Sequence, residues 1–156
     1  MSGHDIPRQE IAERLQTLVA TASWQNGEET QTWVQYGDRL IIWTESQQPA
    51  FYLVEHDEVW AQRTGMPYRV ELQYKLVVYQ DSARDSSVSG AVLNRAIQGA
   101  IEQVLRPVPA DPGFRDERNT LSGLAHHVFI FGQVFKDGGD LDGQGVLVIP
   151  ISVLVP

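Results

Sequence analysis

A chain of 156 residues, 42% of them hydrophobic, has the size of one domain and is too apolar to be disordered. Twelve basic residues, ten of them arginine, stand against twenty acidic ones for a net charge of −8. The arginines are scattered singly, not gathered into the basic stripe that phosphate binding uses. Cysteine is absent, which excludes disulfides, thiolate metal sites and cysteine nucleophiles.

Met1 to Asp5 have neither the charged region nor the apolar region of a signal peptide. The longest apolar run, Val146 to Val155, is broken by Pro150 and Ser152 and is too short to span a bilayer. The expectation is a chain made, and acting, in soluble form.

The first helix is expected from about Pro7 to Ala22, capped by Asp5, with Pro7 in its first turn. Ile11, Leu15, Leu18, Val19 and Ala22 form its apolar stripe. A polar stretch, Gln25 to Glu29, follows. Thr32 to Tyr36 and Arg39 to Thr44 read as strands around a Gly37-Asp38 turn, and Phe51 to Trp60 as a third. Tyr68 to Tyr79 alternates strictly. Val70, Leu72, Tyr74, Leu76 and Val78 face one way, and Arg69, Glu71, Gln73 and Lys75 the other. A polar loop over 81–89 leads to a second helix, from Ser87 or Ser89 to Leu105. Its stripe is Leu93, Ala96, Ile97, Ala100, Ile101, Val104 and Leu105, and Pro107, Pro109 and Pro112 end it. The connector that follows, rich in proline and mixed charge, contains Arg115 and Arg118 and is expected to be mobile or ordered by a partner.

The chain closes as a long hairpin. Ala125 to Phe135 is apolar on both faces, as in a strand buried on both sides, and Val146 to Val155 returns. Between them lies a glycine-rich tip with Asp137, Asp140 and Asp142. Pro150 removes a ladder donor and is expected at an edge or a bulge. The whole reads as a single α+β domain: a mainly antiparallel sheet of four to six strands, with two amphipathic helices packed on one face.

Chemistry-bearing patterns are weak. His126 and His127 are adjacent, so on a strand they point to opposite faces and do not easily share an ion. The expected arrangement is one packed and one exposed. The acids of the tip fail the calcium-loop spacing; they are either solvated or a docking surface for an arginine-rich partner. Glu55, Asp57 and Glu58 around His56 read as a solvated strand end rather than an acid–base pair. No serine-nucleophile or phosphate-loop motif occurs. An enzyme using His126 or His127 with nearby carboxylates, and a monomeric binding module, stay open as alternatives. Trp24, Trp33, Trp43 and Trp60, with Tyr36, Phe51, Tyr52 and Tyr68, gather in the first half as core or as subunit contacts.

Three strings together are familiar: Arg63 to Tyr79, Leu93 to Leu105, and Leu121 to Pro156. Their order and character resemble the central strand, second helix and closing hairpin of the tail-terminator proteins from the neck of long-tailed bacteriophages. That resemblance implies a structural virion protein and no enzyme, with no catalytic residues and no cofactor. It implies a hexameric ring on the end of the tail tube that stops tube growth and meets the head-side connector, with DNA passing through the lumen unbound and no membrane partner. Another head–tail joining or completion protein of the neck would read much the same. A closed ring needs two different contact faces on each subunit. The candidates are Arg69, Glu71, Gln73 and Lys75 on the alternating strand, Asp137, Asp140 and Asp142 at the tip, and Arg115 and Arg118 in the connector. An acidic chain also suits a lumen that must not hold DNA.

Overall fold

The computed structural model describes residues 6–38, 48–61, 69–81, 88–106, 119–139 and 144–155. Helix α1 (Arg8–Ala20) buries Ile11, Leu15 and Val19, the spacing that places three side chains on one face. Pro7 occupies its N-cap position, one place earlier than expected, and makes no side-chain cap bond; Asp5 lies outside the described residues. Thr21 closes the helix, its N–H and hydroxyl both donating to the Leu18 carbonyl.

A small hairpin follows, β1 (Trp24–Asn26) and β2 (Glu29–Gln31), where the sequence showed only a polar stretch. Its two-residue connection is Gly27-Glu28, with Gly27 at φ 66°, a conformation open to glycine and suited to the first position of a tight hairpin turn. β3 (Gln35–Gly37) overlaps only the end of the expected strand Thr32 to Tyr36, and runs parallel to its neighbour. The expected strand Arg39 to Thr44 lies outside the described residues.

The main sheet is built on β4 (Ala50–Ala61), β5 (Arg69–Asp81) and β8 (Gln144–Val155). The strand order is β3-β4-β5-β8-β6, and β7 also pairs with β8. Apart from β3 with β4, every pairing is antiparallel. The expectation of four to six mainly antiparallel strands holds, with six in this sheet among the described residues. On β5, Val70, Leu72, Tyr74, Leu76 and Val78 are all buried, as the alternation requires. Leu147, Ile149, Ile151, Val153 and Val155 do the same on β8.

Helix α2 (Gly90–Leu105) lies across that buried face. Ser89 caps it, its Oγ accepting from the Val92 N–H, and Leu93, Ile97, Ala100, Ile101 and Leu105 enter the same core as α1 and the two central strands. Each fully buried leucine or isoleucine contributes roughly 1.5–3 kcal/mol. Both helices thus cover one face of the sheet, and the other face carries no helix among the described residues.

One expectation for the closing hairpin needs correction, and of the two placements expected for Pro150, an edge or a bulge, the second fits, since residues 131–134 stand opposite Ile149 and Pro150. Ala125 to Phe135 is not one strand buried on both sides but two short ones, β6 (His127–Ile130) and β7 (Phe135–Asp137). Phe131 and Phe135 are 66% and 58% exposed. Pro150 is on no edge: its strand is paired with β5 on one side and with β6 and β7 on the other. Its carbonyl accepts from the Phe131 N–H (3.3 Å). The amide of a strand residue points the same way as its carbonyl, so the donor that proline lacks faces the break between β6 and β7. Gly132, at φ 120°, fits that break over the Pro150 ring, where a Cβ would lie 3.3 Å from Pro150 Cγ.

Candidate functional site

The strict alternation of β5 puts Arg69, Glu71, Gln73 and Lys75 together on the helix-free face. Val59 and Val54 of β4 flank them on one side, and Leu154, Ser152, Pro150 and Val148 of β8 on the other. Glu71 is committed within the molecule: its Oε1 accepts from the buried Ser152 hydroxyl (2.7 Å) and from Gln73 Nε2 (3.4 Å). Lys75 is exposed and stands beside a depression of about 430 Å³ lined by Gln133, Val134, Phe135, Val148 and Pro150. Further along the same face, Tyr52 and Tyr79 pair through their hydroxyls at 2.9 Å, over Ala50, Val54 and Val77. Burial, reinforced by the Tyr79 hydroxyl, pushes the Tyr52 phenol well above its ordinary value.

Asp137 ends β7. Its carboxylate accepts from the Gly139 N–H (2.9 Å) and its carbonyl accepts from Asn94 Nδ2 (2.9 Å), which ties the start of the tip to α2. Asp140, Asp142, Arg115 and Arg118 lie outside the described residues. Of the nine candidate residues, the structure therefore brings together the four on β5, with Asp137 on the same face two strands away.

The histidines divide as expected. His126 is exposed, while His127 is half-buried, its Nδ1 accepting from the Asn119 N–H (3.2 Å) and its ring stacked on Phe129 with centroids 5.1 Å apart. Among the described residues no group of three or more His, Asp or Glu is placed to hold a metal ion.

On the helix side a second concavity of about 480 Å³ lies between α1 and the strands. Gln9, Glu13 and Gln16 form one wall, Gly37 and Asp38 another, and Leu53, Glu55 and Tyr74 the base. The acidic cluster read as a solvated strand end borders it. β4 is irregular between Glu55 and Glu58, and Arg8 reaches from α1 to hold Glu58 at 2.5 and 3.1 Å. Trp60 Nε1 donates to the same carboxylate (3.2 Å). The Arg8 guanidinium beside Glu58 lowers that carboxyl below its ordinary value and is itself raised. Both groups are partly solvated, so the pair contributes at most about 1 kcal/mol. Tyr74, buried beneath them, is pushed up to about 12, first by burial and then by Glu55 and Glu58.

The aromatic group of the first half divides between the core and the surface. Trp24, Trp33 and Phe51 are joined edge to face at 4.7 Å, with Trp33 Nε1 donating to the Val19 carbonyl (2.9 Å). Tyr36 stacks on Phe51 yet is 48% exposed, and Trp60 is 54% exposed. Trp43 and Tyr68 lie outside the described residues. The exposed pair Phe131 and Phe135 was missed because an apolar run reads as core. The signal that finds them is Gly132-Gln133 inside the run, with a proline across the ladder.

No family model matches the chain, and no curated protein matches it in sequence. The fold is α+β, with mostly antiparallel sheets, and no described helix is long and apolar enough to cross a membrane.

Proposed function

We propose that this chain is a ring-forming structural subunit of the tail-terminator kind, from the neck of a long-tailed phage. It caps the tail tube, ends tube growth and presents a surface to the head-side connector. One observation carries the reading. The three strings that resemble that family contain β5, the greater part of α2, and β6 with β7 and β8, and these form a single connected unit in the molecule. β5 and β8 pair along their whole length, α2 covers one side, and the other side is left without a helix among the described residues. An uncovered sheet face bearing Lys75, Phe131 and Phe135 is the kind of surface that assembly would bury. The net charge of −8 suits a lumen through which DNA slides without being held.

The test is negative-stain imaging of the purified protein mixed with tail tubes from its own particle. Tubes capped at one end by a ring are expected. Bare tubes with the protein attached to capsids would transfer it to the connector. Bare tubes with the protein remaining free would overturn the assembly reading.

A further inference from the structure

We propose that copies of this chain join head to tail, the Lys75–Phe131–Phe135 patch of one copy seating in the Glu13–Asp38–Glu55 groove of the next. The inference deepens the ring reading and rests on it.

The patch is an unsatisfied surface. Phe131 and Phe135, 66% and 58% exposed, are the two most exposed large apolar side chains among the described residues. They stand on either side of the break over Pro150, and Phe135 lines a depression there that a partner can fill. Lys75 projects beside them from β5 and makes no ion pair among the described residues. Aromatic side chains with one cation, at the margin of a concave apolar surface, are the composition of a protein–protein contact.

The groove has the complementary character. Glu13, Asp38 and Glu55 line it, and Leu53 and Tyr74 give it an apolar base. The nearest basic side chain on its α1 wall, Arg8, is already held by Glu58. A lysine entering the groove therefore meets carboxylates, and a phenyl ring beside it meets the smaller, apolar part of a mainly polar surface.

The occupant is a second copy because the charges select it. In a chain of net charge −8, most approaches of two copies are repulsive, and the exception is a cationic patch turned toward an acidic groove. Tyr74 and Lys75 are neighbours on β5 and point to opposite faces, so groove and patch lie back to back across the sheet. The patch lies toward the β7 side and the groove toward the β3 side. Neither surface complements itself. Such a contact is heterologous, and it propagates into a ring or a filament instead of closing as a two-fold dimer.

The absence of cysteine makes the contact directly readable. Lys75→Cys and Glu13→Cys both alter exposed side chains. The two single variants and the double variant are oxidised, at high concentration and on tail tubes, then separated under denaturing conditions. The proposal expects no crosslink in either single variant, a dimer when the singles are mixed, and a ladder in the double variant. In parallel, Lys75→Glu lowers the capped fraction of tubes about tenfold, and adding Glu13→Lys restores most of it. Rings without the mixed crosslink, or a crosslink in Lys75→Cys alone, would overturn this contact and leave the ring reading standing. Free monomers with neither rings nor ladder would overturn both. A ladder without capped tubes would keep the contact and remove the terminator role.

Discussion

At Tyr74, burial and neighbouring charge act in the same direction. Its hydroxyl is buried beneath Glu55 and Glu58, and its phenol is held up at about 12 against an ordinary value of 10.0. In the unfolded chain the same group ionises at its ordinary value, so the unfolded state gains charge first as pH rises. Stability from this group is full below about pH 10 and is lost as pH climbs through the folded value. Tyr74→Phe should make the alkaline fall in stability shallower by roughly 1–3 kcal/mol, read from urea midpoints between about pH 9 and 12. Tyr52, raised in the same direction, leaves a residual slope in that variant. A slope identical to that of the parent would mean that Tyr74 ionises freely. At this scale the sequence was legible wherever a period of two held. Arg69, Glu71, Gln73 and Lys75 share a face because nothing interrupts β5. Glu55 in the base of the groove and Glu58 at its border were not legible in those places. The irregularity of β4 between them, and the reach of Arg8 from α1, are tertiary events without a local signature.

Among the elements, α2 offers a comparison inside a single helix. Gly90 opens it, and a Cβ there would lie 1.6 Å from the Gly138 carbonyl oxygen, so helix start and tip loop interlock through two glycines. Gly99 stands on the exposed face of the same helix with nothing within 4 Å of a Cβ. Gly90→Ala should cost roughly 1–3 kcal/mol, because backbone must move to admit the methyl. Gly99→Ala should stabilise by roughly 0.5–1 kcal/mol, because alanine loses less freedom in a helix. Thermal or urea unfolding of the two variants checks both signs, and equal effects would mean that the tip is not seated on the helix. The helices and β5 were readable because each carries its apolar period over at least three turns or five alternations, and β4 and β8 because they contain runs of β-branched and aromatic residues. The small hairpin was hidden by its composition: Asn26-Gly27 signals a turn, but its flanks, Gln25 and Glu29, are polar and carry no alternating apolar pattern. The break between β6 and β7 was hidden for the opposite reason, since the apolar residues on either side of Gly132-Gln133 mask a change in exposure.

For the molecule as a whole, order should be greatest at the middle of the sheet. β5 and β8 pair from Val70 with Val155 to Asp81 with Gln144, and both helices rest on their buried side. Amide hydrogen exchange should be slowest along these two strands, at protection approaching that of global unfolding. It should be fastest in the β1–β2 hairpin, which is paired only to itself. Protection in the hairpin equal to that of β5 would mean that it folds with the core. The two sides of the sheet also differ in kind. One is a shared core of two helices and two strands, legible as amphipathic stripes. The other carries no helix among the described residues, and its mixture of charged, polar and aromatic side chains has no amphipathic stripe from which to read it.

The interruption over Pro150 has a consequence for what this protein must avoid. An open strand edge is a template on which any extended chain can add, and it invites uncontrolled aggregation. Here the outer margin offers four residues in β6, then a gap, then three in β7. The Val128 N–H in the first stretch is already taken by the Asn119 carbonyl (2.9 Å). An invading strand would lose its register within a few residues. At this margin, strand addition, a mode that reads no side chains, is thus disfavoured, and contacts that do read side chains are left.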